Sequence, residues 1–159
     1  MATVRVSRDI AAPVEQVFAM FTDIEHGSEH VSAIMNVQML TVGALRLGSQ
    51  WVEARQVLGR LDEANMEITA FEKNRGYTIT HHKAGVRIDT SFSFEPIAEG
   101  TRVSVEFGLN PQGLPPALLS PLEWAIAGKV RDVLLHDLRD LKNCVEQVGV
   151  TNVGTPAGA

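Results

Sequence analysis

From Ala33 to Leu109 the chain reads as strand after strand, and this run constrains the fold more than any other feature. Val86, Ile88, Thr90, Phe92 and Phe94 alternate without a break with Arg87, Asp89, Ser91, Ser93 and Glu95. A period of two sends the two sets to opposite faces of one strand. Val103, Val105, Phe107 and Leu109 alternate in the same way with Arg102, Ser104, Glu106 and Gly108. Four earlier runs, 34–42, 48–58, 65–71 and 77–83, are stopped by Gly43-Ala44, Gly59, Asn74-Arg75-Gly76 and Ala84-Gly85. Turns roughly every dozen residues predict antiparallel hairpins, because parallel neighbours need long crossovers. Polar residues on one parity leave one face of the sheet to water, so the other face must be covered.

The flanks supply the cover. Residues 3–10 form a further half-buried strand, with Val4, Val6 and Ile10 on one parity. Pro13 suits a helix start, where a missing N–H costs nothing, and Val14, Val17, Phe18 and Phe21 follow at helical spacing. Residues 24–32 are polar and read as a loop or a weak second helix. The stretch 110–116, with three prolines, breaks the pattern, and residues 117–148 then carry helical periodicity. The expected order is strand, short helix pair, six strands, long helix, in one domain over 1–148. Residues 149–159 are small, lack an apolar period and are expected to form a flexible tail.

On the long helix, Ile126, Val130, Val133, Leu134, Leu138, Leu141, Val145 and Val148 share one arc. Asp137 projects inside that arc, between Val130 and Leu141. A carboxylate facing a dry core is costly unless it is paired, protonated or wet. Either the interior holds a cation or water opposite Asp137, or the residue faces the sheet edge and reaches solvent. Parity offers a cation: Trp51, Glu53, Arg55 and Val57 share one strand face, although Val52, Ala54 and Leu58 are an equally readable inward set. Tyr77 and Ile79 favour the interior and carry His81 with them, as an interior group or a rim residue. His82 must point the other way.

Composition excludes whole classes of function. The 159 residues are 45% hydrophobic and 21% charged, which suits a single globular core and neither a disordered chain nor a membrane span. A net charge of −5 and the lack of any basic stripe argue against nucleic acid as a partner. The single cysteine, Cys144, excludes an internal disulfide and a multi-cysteine zinc site. The N-terminal residues alternate instead of building an apolar signal core, so a cytoplasmic location is expected. No cofactor is expected: phosphate loop, dinucleotide fingerprint and nucleophile elbow are all missing from the sequence. His26 and His30, four apart beside Glu25 and Glu29, are the weak candidates for metal ligands. An exposed polar loop explains them as well, and Gly27 and Ser28 work against a helical His pair.

The segments Ile10-Ala11-Ala12-Pro13-Val14-Glu15-Gln16-Val17-Phe18, Leu47-Gly48-Ser49-Gln50-Trp51, Phe92-Ser93-Phe94-Glu95-Pro96 with Gly100-Thr101-Arg102-Val103, and Leu138-Arg139-Asp140-Leu141-Lys142 resemble, in order and spacing, those of the START-like (SRPBCC) superfamily, polyketide cyclase/dehydrase branch. The likeness runs over residues 3–148. It implies an α+β helix-grip fold: a curved antiparallel seven-stranded sheet wrapped around a long C-terminal helix, with a cavity between them for an apolar ligand. Many relatives have a tryptophan soon after the first helix, where His30 stands in this chain. The superfamily has no universal catalytic motif.

Three functions follow as expectations. The first is binding of a small hydrophobic, lipid-like or polyketide-like molecule, lined by Phe21, Trp51, Arg55, Tyr77, Ile79, His81, Phe92, Leu119, Ile126, Val130, Leu134 and Asp137. The second is a cyclase, aromatase or dehydratase in which His81, Tyr77 or Asp137 moves protons on a poly-carbonyl substrate. The third is an adaptor that docks a protein through the apolar stretch 114–124. That stretch also reads as plain packing, as a gate over the cavity, or as a dimer patch in a protein that is a monomer or homodimer.

Overall fold

The computed structural model describes residues 3–57, 59–113 and 120–153, with side chains at all of these except 120–126 and 149–153. Strand β1 (Thr3–Ile10) leads into helix α1 (Val14–Phe21), a single 3-10 turn (Ile24–His26) and the short helix α2 (Gly27–His30). Strands β2 (Ile34–Met39), β3 (Gln50–Val57), β4 (Arg60–Glu72), β5 (Gly76–Lys83), β6 (Val86–Ile97) and β7 (Gly100–Pro111) follow, and helix α3 (Ser120–Val153) closes the chain. The sheet order is β1-β7-β6-β5-β4-β3-β2, antiparallel at every pairing. This is the α+β helix-grip architecture expected from the order of elements.

Several boundaries differ from the sequence expectation, and β2 already ends at Met39 instead of 42. β4 begins at Arg60, because the tight Gly59 turn pairs Val57 with Arg60 and carries the ladder through the polar residues 60–64. β7 continues to Pro111, which sits opposite Val86 at the end of its ladder, where a missing N–H is tolerated. α3 runs to Val153, beyond the expected 148.

Local chemistry sets the elements. Pro13 occupies the N-cap of α1 with φ −62°, Glu15 lies in the positive first turn, and the Thr22 hydroxyl donates to the Phe18 carbonyl at 2.7 Å to close the helix. Ala84 and Gly85 both take positive φ between the paired residues Lys83 and Val86. That is the two-residue turn whose twist matches a hairpin. Register slips between Ile34 and Asn36 and between Ile68 and Ala70 mark bulges that bend β2 and β4.

The interior is divided. At the α1 end an aromatic plug fills the grip: Phe18 meets Phe94 edge-on at 5.2 Å, Phe21 meets Phe94 at 90° and 5.3 Å, and Tyr77 stacks on Phe92 at 4.7 Å. Such pairs contribute about 1 kcal/mol each beyond their buried area. The later turns of α3 lie against β1 and α1, burying Leu138 and Val145. Polar latches fix that part of the helix. Asp140 accepts from the Ser32 N–H and hydroxyl, Lys142 donates to the Asp9 carbonyl, and Glu146 accepts from the Ala11 N–H. Earlier turns of α3 cross the concave side of the sheet, and there a space is left open.

Candidate functional site

The space is a cavity of about 500 Å³ between α3 and strands β3 to β7. The alternation rule builds its floor. Ile88, Thr90 and Phe92 of β6 pair across with Leu109, Phe107 and Val105 of β7, and all six line the cavity. Tyr77, Ile79, His81 and Lys83 of β5 continue the floor, followed by Asp62, Ala64 and Met66 of β4 and Glu53, Arg55 and Val57 of β3. Lys129, Val130, Val133, Leu134, Asp137, Leu138 and Leu141 of α3 form the roof. Phe21, Asp23, Ile24, Gly27, His30 and Val31 close one side. Pockets of this volume take drug-sized or lipid-chain-sized molecules.

Several polar side chains interrupt the apolar wall, Asp62, Lys83 and Lys129 among them, and one largely buried cluster ties β3 to α3. Arg55 donates through Nη1 to Asp137 Oδ2 at 2.7 Å and through Nε to Glu53 Oε1 at 3.3 Å. Trp51 Nε1 donates to the second Glu53 oxygen, Oε2, at 3.2 Å. The Arg55 and Asp137 side chains are 20% and 18% exposed. Asp137 Oδ1 is shut off from solvent and has no hydrogen-bond partner among the described residues. Burial pushes the Asp137 carboxyl above the usual carboxylate range; Arg55 opposes that shift, and Glu53 adds to it. Burial alone would lower the Arg55 guanidinium, but attraction to Asp137 and Glu53 outweighs it and holds the charge in place.

The other titratable groups are disposed differently. Burial draws the His81 imidazole below its usual range against the pull of Glu53 and Asp62, so it is neutral at physiological pH. Tyr77 is buried, donates its hydroxyl to the Phe21 carbonyl at 3.2 Å, and is pushed up in pKa by burial and by Glu53. It is a fixed structural donor in the wall rather than a group free to exchange protons with a ligand. Thr90 places its side chain on the floor, between Ile79 of β5 and Phe107 of β7.

Of the residues singled out from sequence, Phe21, Arg55, Tyr77, Ile79, His81, Phe92, Val130, Leu134 and Asp137 all line the cavity. Trp51 does not: it is 0% exposed and packs in the solid core, reaching the site only through its bond to Glu53. Leu119 and the side chain of Ile126 lie outside the described residues, as does most of the stretch 114–124. Glu53 and Thr90 belong to the cavity and were not among the expected site residues; both were visible as members of inward parities. His26 and His30 converge on one carboxylate, with His26 Nδ1 at 2.7 Å from Asp23 Oδ1 and His30 Nε2 at 3.1 Å from Asp23 Oδ2. Among the described residues no group of three or more His, Cys, Asp or Glu is arranged to hold a metal ion.

The sequence matches the family model described as "Polyketide cyclase / dehydrase and lipid transport" over residues 1–145. The chain belongs to this family. Among curated proteins none matches closely enough to count as a relative. Solved structures share the fold at low identity. The Zhui aromatase/cyclase of a Streptomyces species superposes with a TM-score of 0.76 at 12% identity, covering 99% of this chain and 98% of that one. A START superfamily protein of Mycobacterium smegmatis gives 0.73 at 15% identity, covering 92% and 98%. The major latex-like protein 151 of Panax ginseng gives 0.70 at 17% identity, covering 89% and 95%. At such identities the likeness is one of fold. Among the described residues no helix is long and apolar enough to cross a membrane.

Proposed function

We propose that the protein binds a small, largely apolar molecule in the cavity between α3 and the sheet. One observation carries the reading: about 500 Å³ of space is walled mainly by aliphatic and aromatic side chains, while polar groups gather at Glu53, Arg55 and Asp137. A core with no ligand to hold would be filled, because interiors pack to crystal-like density and voids cost stability. An adaptor that docks a partner through its surface has no use for such a space, so the cavity also disfavours the adaptor reading. Native mass spectrometry of the protein purified from its own host tests the proposal. Retention of a small apolar molecule supports it. A bare chain that also takes up no apolar probe in calorimetry removes it.

A second reading, acid–base catalysis on a poly-carbonyl substrate, is favoured by one specific feature. His81 and Asp137 line the same cavity, and burial lowers the imidazole and raises the carboxyl, favouring the neutral form of each. Tyr77 is not part of that reading, because its hydroxyl is already committed. Turnover of a poly-β-ketone model substrate, lost in both His81→Ala and Asp137→Asn, is the outcome that catalysis requires.

A further inference from the structure

The sheet has two edges, and they are finished differently. β1 carries Arg5, Arg8 and Asp9, and α3 lies against it, with Lys142 donating to the Asp9 carbonyl and Glu146 accepting from the Ala11 N–H. Charge and cover of this kind keep an edge strand from pairing with another chain. β2, at the other edge, lacks the charge: from Val31 to Leu45 the sequence contains no acidic or basic residue, no histidine and no proline. The Leu40 N–H donates to the Gln50 carbonyl at 2.9 Å and the Gln56 N–H to the Ala33 carbonyl at 2.8 Å, which fixes the backbone groups that face β3. Alternation then turns the N–H and C=O of Val37 and Met39 to the free edge. The bulge at Ile34–Asn36 blunts only the start of the strand. Apolar surface gathers in the same stretch. Six large apolar side chains are exposed among the described residues, and Met35, Leu40, Val42 and Leu47 are four of them. The loop that displays them is firmly built. Arg46 Nη1 donates to the Val42 and Ala44 carbonyls, and the Ser49 and Thr41 hydroxyls accept from the Arg46 and Gln50 N–H groups.

We propose that two copies of the chain join through β2, antiparallel about a two-fold axis at Gln38, into one continuous sheet. That axis sets Val37 opposite Met39 of the second copy, and each pair exchanges both of its backbone bonds. Charge argues for a second copy in this orientation. Glu25 and Glu29 are exposed just before the strand and Arg46 just after it, and Arg46 has no carboxylate partner among the described residues. Antiparallel pairing lays the Arg46 end of each copy along the Glu25 and Glu29 end of the other, whereas parallel pairing sets like charges together. The contact is isologous and β1 is blocked, so pairing closes at two copies instead of running on as a filament. The seam passes beside the cavity wall, where Gly27 of α2 packs against Ile34 and Val37, but the proposal does not depend on the ligand-binding reading.

The test is sedimentation of the full chain at neutral pH over a range of concentrations. The wild type is expected to sediment as a dimer of the 17.3 kDa chain, with a dissociation constant of about 10 µM or below. Asn36 and Gln38 are exposed, so Asn36→Lys with Gln38→Lys leaves the folded monomer undisturbed while setting lysine against lysine across the axis. That variant is expected to stay monomeric at every concentration, and so is Asn36→Glu with Gln38→Glu. Mixed in equal amounts, the lysine and glutamate variants should form a heterodimer, because each now meets the opposite charge. A wild type that remains monomeric at about 100 µM overturns the proposal. So does a dimer that survives either pair of substitutions, since it must close through another surface. Two monomeric variants that do not combine on mixing overturn the axis at Gln38. If the lysine variant does not fold, the glutamate variant alone decides whether β2 is the seam.

Discussion

Arg55 and Asp137, separated by 82 positions in the sequence, meet at 2.7 Å between Nη1 and Oδ2 and tie the sheet to the cavity-spanning part of α3. The other latches of α3 lie further along the helix, at Asp140, Lys142 and Glu146. This pair is set inside the cavity wall instead.

Removing one partner strands the other charge in a poorly solvated place. Arg55→Ala and Asp137→Ala are each expected to cost about 3 kcal/mol in urea unfolding, since both side chains are largely buried. The double change Arg55→Met with Asp137→Leu removes both charges and leaves apolar surface against apolar surface. It is expected to recover most of the loss, giving a strongly non-additive cycle. Additive losses would show that the two charges are solvated separately.

How much of this was legible beforehand depended on which residues carried the signal. The strict alternation of β6 and β7 puts Ile88, Thr90 and Phe92 of one strand and Val105, Phe107 and Leu109 of the other on the covered face, because period two leaves no other choice, whereas their cross-strand pairing is set by the register of the hairpin. β3 was ambiguous, since Val52 and Ala54 offered a second apolar parity against Trp51 and Val57. Only the far side of the molecule, Asp137 on α3, decides that Glu53 and Arg55 point inward. Trp51 shows a different limit. Parity put it on the correct face, but parity says nothing of position along the strand, and Trp51 lies at the packed end. His26 and His30 have metal-like spacing, yet Asp23, three residues before the first of them, takes both rings.

Gly100 should be irreplaceable. Its φ is +148°, and a Cβ there would overlap the Ile10 carbonyl oxygen and crowd the Ala12 backbone nitrogen at 2.9 Å. All the neighbours are backbone, so no side chain can swing aside. Next to it the buried Thr101 hydroxyl donates to the Ala12 carbonyl at 2.8 Å, pinning the β1–α1 connection to the start of β7. Gly100→Ala is expected to destabilise the fold by about 3 kcal/mol, in the range of strained backbone and overpacked sites. Gly59→Ala is the comparison, since no atom lies near its Cβ and only its φ of +78° opposes the change. It should cost about 1 kcal/mol. Equal losses would refute the packing argument.

The Asp23 clamp on the cavity wall should respond to pH. Its hydrogen bond and charge raise the His26 pKa above 6.5. Burial pushes Asp23 upward, but the bonds to His26 and His30 outweigh it, and the carboxyl settles below 3.8. The His26 contribution is fully present below pH 6.5 and is lost as pH rises through the raised folded value. The Asp23 contribution is present above 3.8 and is lost as pH falls through the lowered one. Both operate between about pH 4 and 6.5. The Tm difference between wild type and Asp23→Asn should therefore be widest near pH 5.5 and shrink toward pH 9. A difference independent of pH would mean that His26 stays neutral.

Filling the cavity should separate binding from folding. Ala64 sits on the floor opposite Glu53, half-buried and facing open space, so a phenyl ring placed there meets room instead of packed atoms. Overpacking costs arise when added atoms have nowhere to go, and about 500 Å³ gives them somewhere. Ala64→Phe is expected to change stability by less than about 1 kcal/mol while lowering affinity for an apolar probe tenfold or more. Its neighbour Glu63 points to the outer, exposed face, so Glu63→Phe adds the same ring to the same strand without touching the cavity. Probe affinity should be unchanged in that variant. If Ala64→Phe unfolds the protein, the floor is packed rather than open. If it folds and binds as well as wild type, the molecule bound lies elsewhere.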